Sequence, residues 1–90
     1  MVKEKVKTGR KRGPKIPGSH DLFLFNDNFN TFEFVIDTLV EVCGHDSIQA
    51  EQCALVAHFK GKCVVKSGTL EELKPIHDEM THRDLTVSII

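Results

Sequence analysis

The 90-residue chain has no tryptophan and no tyrosine, and its six phenylalanines all lie beyond residue 20. Single-stranded nucleic acids are held by basic grooves with aromatic rings for the bases to stack on. The basic segment at the start of this chain therefore offers charge without stacking, and nucleic acid is a disfavoured partner. No apolar run approaches the roughly 20 residues that a membrane-spanning helix needs. No apolar segment follows the first charged residues, so neither a membrane association nor a secretory leader is expected. Cysteine is scarce and odd in number: Cys43, Cys53 and Cys63 stand ten apart in apolar settings. A disulfide framework needs pairs and an oxidising compartment, so the count fits a reducing cytoplasm, and the even spacing reads as coincidence.

Catalytic motifs are also missing. There is no glycine-rich phosphate loop, no serine elbow and no His-Glu-x-x-His. Cys43-Gly44-His45 sets a thiol near a base, but a capped helix end explains it more simply, with Cys43 on an apolar face. His20, His45, His58, His77 and His82 lack the paired short spacing of a zinc site. No metal, no cofactor and no enzymatic activity are expected.

What is present is an uneven charge. Residues 1–20 carry seven Lys and Arg against Glu4 alone, a net of +6, whereas residues 21–90 carry 5 basic and 12 acidic side chains, a net of −7. Residues 1–20 also hold Pro14, Pro17, Gly9, Gly13 and Gly18 and few large apolar groups. Such a segment cannot bury enough surface to offset its ordering entropy. It reads as a disordered basic extension before a core domain at 21–90.

The core domain has a legible order. Asp21–Phe25 is short, apolar and aromatic, as a strand should be. Asn30 stands three residues before Glu33, the spacing of a capping box, ahead of Phe32, Val35, Leu39, Val42 and Cys43 at helical intervals. Gly44 suits a left-handed stop. Asp46 and Gln49 open a second helix with Ala50, Cys53, Ala54 and Ala57 on its apolar face, ended by Gly61. Cys63–Val65 forms a strand and Ser67-Gly68 a turn. Thr69 with Glu72 opens a third helix, which Pro75 should kink or restart. Leu85–Ile89 alternates as a last strand. Strand-helix-helix-strand-helix-strand predicts an α+β domain, three helices packed on a three-stranded antiparallel sheet.

The segment Asn26-Asp27-Asn28-Phe29-Asn30-Thr31 is a polar cluster between strand and helix. A plain turn accounts for it locally. The alternative is a site for a small cation such as a free amino group. His58 sits near the end of the second helix beside Ala54 and Ala57, whose small side chains leave a recess. Nothing local joins it to Asn26 and Asp27.

Asn26-Asp27-Asn28-Phe29, then Phe32-Glu33-Phe34-Val35, then Ala57-His58 and Gly61-Lys62, resemble the bacterial Clp protease adaptor family ClpS. The resemblance covers essentially all of residues 21–90. It implies a monomeric, non-enzymatic adaptor that binds N-degron substrates, proteins beginning with Leu, Phe, Tyr or Trp. It would deliver them to the N-terminal domain of a hexameric Clp-family AAA+ unfoldase of the ClpA or ClpC type. The implied fold is also that of the C-terminal domain of the ribosomal stalk protein.

By the same resemblance, Asn26, Asp27 and His58 would clamp the α-amino group. Asn28, Asn30, Thr31, Phe32, Val35, Ala54, Ala57 and Leu85 would form the side-chain pocket, and Glu71 would dock the unfoldase. An α-ammonium offers three donors and a charge, which a carboxylate, an amide oxygen and a neutral imidazole nitrogen suit. The chain departs from the family where Asn30-Thr31 replaces Thr-Pro, where Phe32 and Ala54 stand for Met, and where Ala57 stands for Val. Its third helix is several residues shorter. Two competing readings remain: a nucleic-acid-associated protein acting through its tail, and a stalk-like interaction module with no pocket.

Overall fold

The computed structural model describes residues 17–90. Strand β1 (Ser19–Phe25) is followed by α1 (Phe32–Cys43), α2 (Ser47–Lys60), β2 (Lys62–Thr69), α3 (Leu70–His82) and β3 (Val87–Ile89). The sheet is antiparallel in the order β2-β1-β3, so the first strand occupies its centre. Strand β1 begins two residues earlier than the sequence suggests: Ser19 pairs with Thr69 and His20 with Gly68. Those two residues belong to the sheet and Pro17 and Gly18 form a turn ahead of it, while residues 1–16 of the expected extension lie outside the described residues.

Alternation along β1 decides what is buried. Leu22 and Leu24 point into the core. Phe23 and Phe25 occupy the alternate positions, half-buried, with ring centroids 6.4 Å apart and the Lys62 ammonium 5.1 Å above the Phe23 ring. The core is completed by Leu39 and Cys43 from α1, Ala50, Cys53 and Ala57 from α2, Val65 from β2, Leu73 and Met80 from α3, and Leu85. One face of the sheet is thus covered by helices, the arrangement expected of an α+β domain.

Helix ends follow local chemistry, with one exception. Asp46 caps α2 by accepting from the Gln49 N–H at 2.8 Å. Thr69 and Glu72 complete a reciprocal capping box on α3. Gly44 and Gly61 end α1 and α2 at φ +75° and +96°, backbone that a β-carbon resists. The exception is α1. Its cap is Thr31, whose Oγ1 accepts from the Phe34 N–H at 3.0 Å, and not Asn30, whose side chain is used elsewhere.

Three further expectations are corrected. Ser67-Gly68 does not turn but lies inside β2, paired with Asp21 and His20. Of the two outcomes expected at Pro75, the restart is excluded: α3 is one helix from Leu70 to His82. Proline removes only the hydrogen bond to the Glu71 carbonyl, which sits on an exposed first turn where water can replace it. The last strand starts at Val87, because the Leu85 N–H is taken by the Met80 carbonyl at 3.0 Å.

Candidate functional site

The polar cluster and α2 meet because of strand pairing. Phe25 at the end of β1 pairs with Lys62 at the start of β2, and the Asn26 N–H donates to the Gly61 carbonyl at 2.9 Å. Gly61 also caps α2, three residues beyond His58. The exit of β1 is therefore fixed against the end of α2, which supplies the link that the local sequence lacks.

Asp27 organises the loop. Its Oδ1 accepts from the backbone N–H groups of Phe29 and Asn30, each at 2.8 Å, and its Oδ2 accepts from the Asn30 amide at 3.1 Å. The Asn30 amide also donates to the Asp84 carbonyl at 2.9 Å, tying the loop to the segment after α3. Partial burial opposes the Asp27 charge, but the bonds from Asn30 and Phe29 outweigh it and hold the carboxyl below its ordinary pKa. A carboxylate has about four lone-pair sites. Three are used within the loop, so one on Oδ2 is left for an outside donor, on a group already fixed in place.

Beside this carboxylate lies a cavity of about 410 Å³, lined by Leu24, Phe25, Asn26, Asp27, Asn28, Asn30, Phe32, Val35, Ala54, Ala57 and His58. That volume is in the range of small-ligand pockets. The chain composition of the cavity is ordered: the three Asn and Asp27 come from the loop, Phe32 and Val35 from the first turn of α1, and Ala54, Ala57 and His58 from α2. Ala54 and Ala57 are almost fully buried, so their methyl groups set how deep the recess runs. His58 is exposed, and its ring meets that of Phe59 edge to face at 4.9 Å.

Most of the residues singled out from sequence line this cavity, and Thr31, Leu85 and Glu71 do not. Thr31 caps α1 and does not line the cavity; Leu85 is 4 % exposed and belongs to the core. Leu24 and Phe25 line it and were missed, since a strand's alternation shows two faces without saying what meets them. Glu71 lies exposed on the first turn of α3, apart from the cavity lining. Cys43 is buried with its sulfur 3.6 Å from that of Met80, and burial pushes its thiol up to about 11. It suits packing rather than nucleophilic chemistry. No described helix is long and apolar enough to cross a membrane.

A three-stranded antiparallel sheet backed by helices thus carries a recess lined by apolar side chains together with a hydrogen-bonded carboxylate. Comparison with known proteins places it more closely. Residues 15–88 match the family described as ATP-dependent Clp protease adaptor protein ClpS, and the chain belongs to that family. The ClpS adapter protein of Erwinia tasmaniensis is 36% identical over 72 residues, covering 78% of this chain and 68% of the relative. That of Serratia proteamaculans is 35% identical over 65 residues, covering 70% and 61%. The match thus spans roughly two thirds or less of these relatives' own length. Agrobacterium tumefaciens ClpS2, solved bound to L-phenylalaninamide, shares the fold at a TM-score of 0.71 and 21% identity, covering 83% of this chain and 98% of that one.

The reading of a stalk-like module without a pocket predicted no concave site near Asn26 and His58, and the cavity lies there. The nucleic-acid reading rests on residues 1–20, nearly all outside the described residues.

Proposed function

We propose that the chain is a non-enzymatic adaptor that binds the first residue of N-degron substrates and delivers them to a Clp-family AAA+ unfoldase. The observation that carries this is the Asp27 carboxylate, fixed by three hydrogen bonds and one acceptor site short of saturation, in the lining of a cavity that it shares with apolar side chains. An α-ammonium there completes the carboxylate and finds further acceptors in the Asn26 amide oxygen and a neutral His58 nitrogen. The side chain of the same residue enters the recess between Phe32, Val35, Ala54 and Ala57. L-phenylalaninamide, the ligand in the A. tumefaciens structure, pairs a free amino group with such a side chain.

Magnitudes support a ligand of one residue. Burying a Leu or Phe side chain supplies about 2–3 kcal/mol. Charge-assisted hydrogen bonds add about 1.5–3 kcal/mol each before entropic costs. Micromolar affinity, about −8 kcal/mol, is within reach. Acetylation of the terminus removes the charge and adds bulk, leaving Asp27 facing a group that cannot pair with it.

The family supports a monomer that works in the cytoplasm with the N-terminal domain of a ClpA- or ClpC-type unfoldase, docked in part through Glu71, with the basic segment 1–20 aiding delivery. The test of the core reading is a calorimetric panel of short peptides differing only in their first residue. Peptides beginning with Leu or Phe should bind and their acetylated twins should not. Equal binding of the twins would remove the α-amino clamp.

A further inference from the structure

A second recess, of about 420 Å³, opens on another face of α2 and is lined by His45, Gln49, Gln52, Cys53, Val56, Cys63 and Val64. Cys53 comes from α2 and Cys63 from β2. Their sulfur atoms lie 2.6 Å apart. A disulfide bond is about 2.05 Å long, so a shift of about half an ångström joins them. Neither is bonded in this structure; both are free thiols.

We propose that Cys53 and Cys63 form a peroxide-responsive dithiol, a modification site that closes to an intramolecular disulfide stapling α2 to β2. The two sulfurs are not equivalent. Cys53 is 7 % exposed, whereas Cys63 is half-buried. Either thiol can donate across the short contact, so the proton does not tell the two apart. Access does: peroxide reaches the half-buried Cys63 before Cys53, which makes Cys63 the attacking sulfur and Cys53 the resolving one.

In the first step the Cys63 thiolate displaces hydroxide from hydrogen peroxide and becomes a sulfenic acid. In the second, the Cys53 sulfur attacks the Cys63 sulfur, its proton leaves with the sulfenic oxygen as water, and the S–S bond forms. Two thiols are oxidised, one peroxide is reduced, and two waters result overall. His45 borders the same recess and is 7 % exposed. Its Nε2 is bonded to the Val65 carbonyl at 2.7 Å, which assigns the proton to that nitrogen. Nδ1 is left as a buried nitrogen with no protein partner among the described residues. The third cysteine takes no part, since the Cys43 sulfur packs on Met80.

The experiment treats the reduced full chain with hydrogen peroxide and maps peptides without reductant. A single cross-link between the peptides holding Cys53 and Cys63 is expected, lighter by two hydrogens and reversed by dithiothreitol. It should form equally in Cys43→Ser. Closing so short a loop should raise Tm by about 10 °C. Cys53→Ser should instead leave a Cys63 sulfenic acid that dimedone traps, and Cys63→Ser should leave Cys53 unreacted. The proposal is overturned if both thiols of the folded chain stay open to alkylation after peroxide, if links form between chains, or if Cys63 runs on to sulfinic acid with Cys53 untouched. None of these readouts involves a peptide ligand, so they stand apart from the adaptor reading.

Discussion

Two recesses of nearly equal size, about 410 and 420 Å³, are built on two faces of the same helix. Ala54, Ala57 and His58 of α2 face one; Gln49, Gln52, Cys53 and Val56 face the other. Volume does not separate them, but polar preorganisation does. At the first, a carboxylate is held by three hydrogen bonds within a loop that is itself tied to Gly61 and Asp84. At the second, two glutamines sit on an exposed helical face and the sulfur atoms are occupied with each other. A ligand entering the first recess meets a charge already in position. A ligand entering the second would have to order its own partners. The difference fits the two proposals, amine recognition at the first recess and thiol chemistry at the second.

The most severe way to break this division is Asp27→Asn. The variant keeps an oxygen for the backbone N–H groups of Phe29 and Asn30 but loses the charge facing the ligand. A charge-assisted bond is worth about 1.5–3 kcal/mol, so a peptide beginning with Phe should bind about 100-fold more weakly. Calorimetry with a circular dichroism control would measure it, and affinity within threefold of the parent would dismiss the role given to Asp27. His58→Ala removes one neutral acceptor and should cost about tenfold. Gln52→Ala, on the other recess, should leave peptide binding as it was.

Filling the recess is a comparable test of its apolar half. Ala57→Leu pushes a larger side chain into the space between Ala54 and Val35. The affinity for Phe-initial peptides should fall by at least about tenfold, since overpacking costs about 1–3 kcal/mol. Loss should be smaller for Leu-initial peptides, whose side chain is shorter. Equal loss for both would show that the side chain does not reach α2.

How much of this was legible in the sequence depended on how local each determinant is. The caps Asp46–Gln49 and Thr69–Glu72 close within three residues and could be read directly. The α1 cap could not, because two neighbouring residues both suit it. Asn30 is drawn away by Asp27 and by Asp84, 54 positions distant, which leaves the cap to Thr31. Leu85 was read as strand because it alternates with Val87, yet its N–H closes the end of α3. The approach of His58 to Asn26 depends on the β1–β2 register, and the meeting of Cys53 with Cys63 on the packing of α2 against β2. The regular spacing of the cysteines carried no hint of that meeting. Family resemblance named residues that sequence periodicity could not join; nine of them line one cavity, while Thr31 caps α1 and Leu85 is buried in the core.

Thr31→Ala separates support from contact. Losing the α1 cap should cost about 1 kcal/mol of stability in denaturant titration, with peptide affinity unchanged once the protein is folded. A drop in affinity without a drop in stability would return Thr31 to the cavity wall.

The smallest effect expected is a pH dependence. The folded Asp27 carboxyl titrates below its ordinary value because Asn30 and Phe29 stabilise its charged form against the opposing effect of burial. A carboxylate shifted this way adds stability that is fully present above the unfolded pKa of about 3.9. That contribution fades as pH falls through the lower folded value, because protonation then becomes necessary in both states and the three hydrogen bonds no longer favour one over the other. Denaturant titrations of the parent and Asp27→Asn should therefore differ by a constant amount at neutral pH and converge below pH ~3.9. If the gap widened on acidification, the folded carboxyl would have to titrate above its unfolded value, and the three loop hydrogen bonds would not be holding its charge.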